Sequence, residues 1–223
     1  MPKLYQIIAR SRQPGPDPRG AHGGADPRRQ PPDRLVARTP YAGHTGEFKD
    51  LKVDRTGSMI DAELGYRMAE WMNSRISFLY HMDSGDSNSN DKKSETYEPY
   101  FYDRHENAGW MDIFMWGNLT YMQLRYTMDI MDDLNFAAQY LIFTQTKKEG
   151  AISTDNNGSS FGGAGDTTKD NLGSELDLAV SKKYEGGFMI TARAGMFSPG
   201  DEFKAADKTD TYTQFFLEGK MNF

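Results

Sequence analysis

From Thr211 to the terminal Phe223 the chain alternates. Counting back in twos from Phe223, one face carries Met221, Gly219, Leu217, Phe215 and Thr213, and the other Asn222, Lys220, Glu218, Phe216, Gln214 and Tyr212. Side chains alternate across a strand, so a period of two predicts a β-strand with one apolar and one polar face. The pattern recurs. Residues 58–68 set Ile60, Ala62, Leu64, Tyr66 and Met68 against Asp61, Glu63 and Arg67, and residues 73–83 set Ile76, Phe78, Tyr80 and Met82 against Arg75, Ser77 and His81. Residues 118–130 oppose Leu124, Tyr126, Met128 and Ile130 to Gln123, Arg125, Thr127 and Asp129, and 135–146 oppose Phe136, Ala138, Tyr140 and Ile142 to Gln139 and Gln145. In 172–184 Leu176, Leu178 and Val180 face away from Glu175, Asp177 and Ser181. In 187–198 Phe188, Ile190, Ala192, Ala194 and Met196 face away from Thr191 and Arg193.

The connections alternate too. Ala69–Met72, Met131–Leu134 and Glu185–Gly186 are tight, whereas Asp83–Gly109, Lys147–Asn171 and Pro199–Asp210 are long and polar. Short turns at one rim and long loops at the other is the arrangement of outer-membrane barrels. The expected fold class is therefore all-β: an antiparallel up-and-down meander of about seven strands, a partial transmembrane β-barrel. If Phe223 ends at the short-turn rim, the first of seven strands enters from the loop side. Complete bacterial barrels have even strand counts, so residues 57–223 read as the C-terminal part of a larger barrel, in truncated form.

Composition sharpens this picture. With 37% hydrophobic residues and a mean hydropathy of −0.74, no stretch approaches the roughly 18 apolar residues of a membrane helix. Barrel strands need only every second residue apolar. Cysteine is absent, which excludes disulfides, thiolate metal sites and cysteine nucleophiles. The net charge of −6 is split: residues 1–40 hold eight Lys and Arg against three Asp, while the remainder is acidic. Residues 1–56 are rich in Pro, Gly and Arg at their start, and residues 1–45 are expected to lack regular structure as a disordered or aberrant arm. No aromatic interleaving supports nucleic-acid binding there. No secretory signal is visible, since Leu4–Ala9 is short and followed at once by Arg10 and Arg12.

Several motifs carry a family resemblance. Gly109-Trp110-Met111-Asp112 with Trp116-Gly117-Asn118-Leu119, Leu172-Gly173-Ser174-Glu175-Leu176-Asp177-Leu178, Phe197-Ser198-Pro199-Gly200-Asp201 and the loop Tyr97–His105 resemble the alginate-export family of outer-membrane barrels. The likeness covers about residues 57–223. It implies a porin-like channel for passive passage of polar or anionic solutes, such as a polyanionic polysaccharide, in the outer membrane of a Gram-negative bacterium. It also implies outer-membrane lipid and the barrel-assembly machinery as partners. The terminal Phe223 resembles the signal which that machinery reads.

The polar faces supply pore-lining candidates: Glu63, Arg67, Arg75, His81, Arg125, Glu175, Asp177, Arg193, Glu218 and Lys220, with Asp61 and Gln123 beside them. Charged rings set selectivity in pores, and the guanidinium fork matches a carboxylate. With acids as numerous as bases, these charges are expected chiefly to pair across strands, Arg193 with Glu175 or Asp177 for instance. Trp71, Trp110, Trp116, Tyr66, Tyr126 and Tyr184 sit near strand ends, where aromatic girdles occur. The acidic stretch Asp83–Asp91 fails the calcium-loop spacing, with Asp91 where glycine is needed and Tyr97 where glutamate is. The four histidines lack metal-ligand spacing, and no serine, histidine and acid set stands out. No enzyme activity, metal or cofactor is expected. A soluble small β-barrel binding an apolar ligand is the alternative, and it requires the two faces to be interchanged.

Overall fold

The computed structural model describes residues 5–9, 34–48, 52–88, 90–99, 108–150, 169–204 and 210–221. Among these, eleven strands form one sheet. They are β1 (Tyr5–Ala9), β2 (Arg34–Arg38), β3 (Tyr41–Phe48), β4 (Val53–Met68), β5 (Ser74–Asp83), β6 (Lys93–Ser94), β7 (Leu119–Met131), β8 (Leu134–Gln145), β9 (Asn171–Lys183), β10 (Phe188–Pro199) and β11 (Tyr212–Met221), with one helical turn, α1 (Asp201–Lys204). The sheet runs β1-β3-β4-β5-β7-β8-β9-β10-β11, antiparallel throughout, while the two-residue β6 pairs parallel with the start of β4. The antiparallel meander is thus as the alternation predicts. The sheet is not closed: no ladder among the described residues joins β1 to β11.

Two expectations need correction at the N-terminal side. The arm expected to lack regular structure contributes β1, β2 and β3, while residues 10–33 lie outside the described residues. β2 and β3 both pair with β4, through Arg38↔Glu63 and Tyr41↔Ile60, and so form one interrupted strand. The interruption is Thr39-Pro40. Proline has no N–H to give the ladder, but its carbonyl still accepts the Asp61 amide at 3.1 Å. The segment 58–68, read as the first of seven strands, is therefore interior, and β4 begins at Val53, across the boundary drawn at 56/57.

The rims are segregated as expected. β4–β5, β7–β8 and β9–β10 join by short turns, at which Met72, Asn73, Gly186 and Gly187 take positive φ. At the other rim the connections after β5, β8 and β10 are long. The first of them corrects the simple loop picture. After β6, residues 108–118 turn back over the inner face of the sheet and are almost wholly buried there.

That packing separates the two faces of every strand. On the outer face Leu64, Tyr66, Ile76, Phe78, Met122, Leu124, Tyr140, Ile142, Leu176, Leu178, Val180 and Met196 are exposed, and on β11 Phe215 and Leu217 are 80% and 79% exposed. Ile190, expected in the same set, is half-buried. The inner face holds the buried polar residues His81, Asp83, Gln123, Gln139, Glu175, Asp177 and Thr191. A soluble barrel would show these sets interchanged, and it does not. An apolar band of this extent exposed outward suits hydrocarbon as its solvent.

The outer band carries a stability prediction. Leu178→Arg is expected to destabilise the chain in phospholipid vesicles by about 2–4 kcal/mol, because a cation then faces the bilayer interior. Thr127→Arg, on the inner face, is expected to cost much less. Urea titrations of both variants in vesicles measure the difference, and equal costs would contradict a lipid-facing band.

Candidate functional site

Register turns the alternating polar positions into horizontal rows across the inner face, because residues paired across a ladder point the same way. The row nearest the centre of the sheet reads Val36–Gly65–Ser77–Arg125–Gln139–Asp177–Gly195–Gln214 from β2 to β11. One step toward the short turns lies Arg34–Arg67–Arg75–Thr127–Ala137–Ala179–Arg193–Phe216. These two rows hold five arginines against one aspartate. One step toward the long loops lies Arg38–Glu63–Leu79–Gln123–Leu141–Glu175–Phe197–Tyr212, and beyond it Asp61–His81–Tyr121–Phe143–Gly173–Pro199.

The two upper rows are covered by residues 108–118. Phe114, fully buried, tilts against Phe143 at 5.0 Å and meets Phe197 edge-on at 5.6 Å, with Phe203 of α1 stacked at 6.2 Å. Leu79, Leu141, Leu172, Ile113 and Tyr121 belong to the same cluster. Both ends of the segment are tied to carboxylates. The Trp110 amide donates to Asp177 at 3.2 Å and the Met111 amide to Glu175 at 3.0 Å, while the Gly117 amide donates to Asp83 at 2.9 Å. Gly109 takes a φ of +89° directly against Glu175, a place with no room for a side chain. Asn118, at φ +57°, then bridges to Lys147 through its side chain.

Glu175 and Asp177 are therefore on the inner face as expected, but sealed under the segment. Gln139 donates to Asp177 and Gln123 to Gln139, both at 2.8 Å. Arg193 lies 3.3 Å from Glu218 and over the Trp110 ring, while Arg75 pairs with Glu63, which Arg38 approaches at 3.5 Å. Arg67 is held by Asn73 at 2.8 Å, and Asn73 in turn donates to Asp129 at 2.6 Å. Cross-strand pairing of charges is thus partial. His81, fully buried, sits between Asp61 at 2.5 Å and Asp83 at 3.1 Å and stacks on Tyr121 at 4.6 Å.

On the β2–β7 side of the inner face an open cavity of 310 Å³ reaches from the lower of these covered rows to the arginine rows, lined by Arg38, Glu63, Arg75, Ser77, Leu79, Gln123, Arg125 and Thr127. Three arginines face one glutamate there, so the cavity is cationic. Lys220 shares the lowest inner row with Met189 and Lys183. Phe223 lies outside the described residues. Arg34 and Arg38 were missed as candidates because they fell in the supposed arm. Their signal was present in the alternation of Arg34, Val36 and Arg38 with Leu35 and Ala37.

Trp110 and Trp116 are not girdle residues: Trp110 is buried on the inner face, and Trp116 packs 5.2 Å from His81. Trp71, Tyr66 and Tyr184 are exposed near the short turns. The acidic loop after β5 spends its side chains on local turns, Asp86 accepting the Asn88 amide at 2.9 Å and Asp91 the Lys93 amide at 2.9 Å. Among the described residues no group of three potential metal ligands converges.

The inward segment generates a prediction. Phe114→Ala is expected to cost about 3–5 kcal/mol, the usual penalty for emptying a buried aromatic site. Asp83→Ala, which strands the Gly117 amide, is expected to raise hydrogen exchange within 108–118 while leaving the strand amides of β7–β10 protected. Uniform loss of protection across the sheet would show instead that the segment and the sheet unfold as one.

The family profile for alginate export matches residues 39–216, a span beginning at the break between β2 and β3 and ending within β11. No curated protein matches the chain. The match covers well over half of the sequence, and it falls on the strands whose outer faces are apolar and whose inner rows carry the arginines. This chain belongs to the alginate-export family, a family of outer-membrane polysaccharide-export channels.

Proposed function

We propose that this chain forms the wall of a porin-like channel in the outer membrane of a Gram-negative bacterium, through which a carboxylated polysaccharide passes by diffusion. The observation that carries the reading is the pair of inner rows holding Arg34, Arg67, Arg75, Arg125 and Arg193 against the single Asp177. Asp177 is buried and accepts from the Trp110 amide and Gln139, so it does not face the path a solute would take. Guanidinium groups bind carboxylates through paired N–H donors, and they stay charged at any physiological pH. Glu63 and Glu218 temper the field, which suits weak, repeated contacts that let a long chain enter and leave.

The role of Glu63, Arg67, Arg75, Arg125, Arg193, Glu218 and Lys220 is pore lining. Glu175, Asp177 and His81 serve the same pathway indirectly, by fixing the segment that narrows it. Outer-membrane lipid is the partner of the apolar outer band, and the barrel-assembly machinery is the partner for insertion. A bilayer-spanning form requires ladder partners for both β1 and β11, since unpaired backbone groups are costly in hydrocarbon.

A carboxylate passing about 4 Å from a guanidinium in bulk-like water gains about 1 kcal/mol. Each of Arg75→Gln and Arg125→Gln is therefore expected to weaken block of single-channel current by polygalacturonate about fivefold in planar bilayers. Neutral dextran of the same length is expected to block neither wild type nor variants differently. Equal block by the charged and the neutral polymer would refute the anionic selectivity proposed here.

A further inference from the structure

We propose that Trp110 is a positioning residue, whose indole ring holds the guanidinium groups of Arg125 and Arg193 in place for an anionic sugar chain. The arginines come from β7 and β10, with two strands between them. Their central carbons lie 5.8 Å and 5.4 Å from the centre of the Trp110 ring. Both distances are within the range of a cation–π contact, and indole is the strongest partner for one.

The backbone and the neighbouring wall are arranged around this ring. Ala137 of β8 and Ala179 of β9 pair directly with each other, and Trp110 packs on the two of them. Larger residues at either position would lift the ring off the wall. The ring is held from behind by the Trp110 amide on Asp177, one row above. Gly195, beside Asp177 in that row, leaves room for Met111, whose side chain a residue larger than glycine would strike.

At only 5% exposure Trp110 cannot itself be a stacking platform for a sugar ring. It can act only through what it touches. Arg193 also has a carboxylate partner in Glu218 at 3.3 Å, on the β11 side. The indole thus contacts two long cations that reach it from either side of β8 and β9. Arg125 also lines the 310 Å³ cavity, so the ring connects that cavity with the far side of the inner face.

The functional half of this proposal rests on the conduit reading, whereas the geometric half does not. The test uses the full-length chain in detergent micelles with ¹⁵N-arginine, as wild type, Trp110→Phe and Trp110→Met. Methionine and phenylalanine are both smaller than tryptophan and only phenylalanine keeps an aromatic face, so a purely packing role predicts that the two variants lose affinity alike. Two arginine Nε–H resonances are expected to be displaced by the ring current in wild type, displaced less in Trp110→Phe, and undisplaced in Trp110→Met. Polygalacturonate affinity is expected to fall about fivefold in Trp110→Met and much less in Trp110→Phe. Unchanged affinity in a Trp110→Met chain with wild-type strand content overturns the proposal. If that variant does not fold, the wild-type spectrum decides: no displaced arginine resonance overturns it. Displaced resonances in a wild-type chain that does not bind polygalacturonate overturn the conduit reading and the positioning role together.

Discussion

Three carboxylates without solvent contact govern how the inner face is built. Asp83, Glu175 and Asp177 are all fully buried on a wall whose alternation would otherwise leave them facing water. A buried acid is tolerated only when hydrogen bonds take the place of some of its hydration. The replacement comes from the backbone of residues 108–118, whose amides at Trp110, Met111 and Gly117 point at the three acids. The segment gains acceptors for amides that lie outside any strand, and the wall gains donors. Each side supplies what the other lacks, so the carboxylates fix where the segment lands.

Between those polar anchors the segment inserts Ile113 and Phe114 into an apolar cluster made by the upper inner positions of β5, β7, β8, β9 and β10. The sheet thereby acquires a soluble-protein core on one side of its upper half, while its outer face remains an exposed apolar band. The lower half keeps its arginine rows open. This arrangement has a chemical consequence: Asp83, Glu175 and Asp177 are taken up by the amides of the segment, while Arg38, Arg75 and Arg125 line the open cavity. Overall composition is acidic, yet the accessible part of the inner face is cationic.

The alternation made the strand set from residue 58 onward legible, together with the outward direction of Leu64, Phe78, Leu124, Tyr140, Leu178 and Leu217. Period-two patterning survives any global arrangement, because it reflects which solvent each face meets. β2 and β3 were not read because their composition resembles a disordered segment and Thr39-Pro40 interrupts the run. Pairing to β4 outweighs that local preference. Trp110 and Trp116 were misplaced for a related reason. Their spacing near strand ends is the same whether a loop runs outward into water or folds back onto the wall.

What the sequence determined by itself is the repeat: strands, short turns, long loops, two chemically distinct faces and the family motifs. Which charges meet was decided only by the tertiary structure. Glu175, Asp177 and Arg193 occupy equivalent polar positions in the sequence pattern, yet the first two are sealed by backbone amides and the third lies against an indole ring and Glu218. The reason is that alternation fixes only the face a residue points to. Its neighbours along that face depend on ladder register and on where a distant segment lands, and both are set by contacts between residues far apart in the chain.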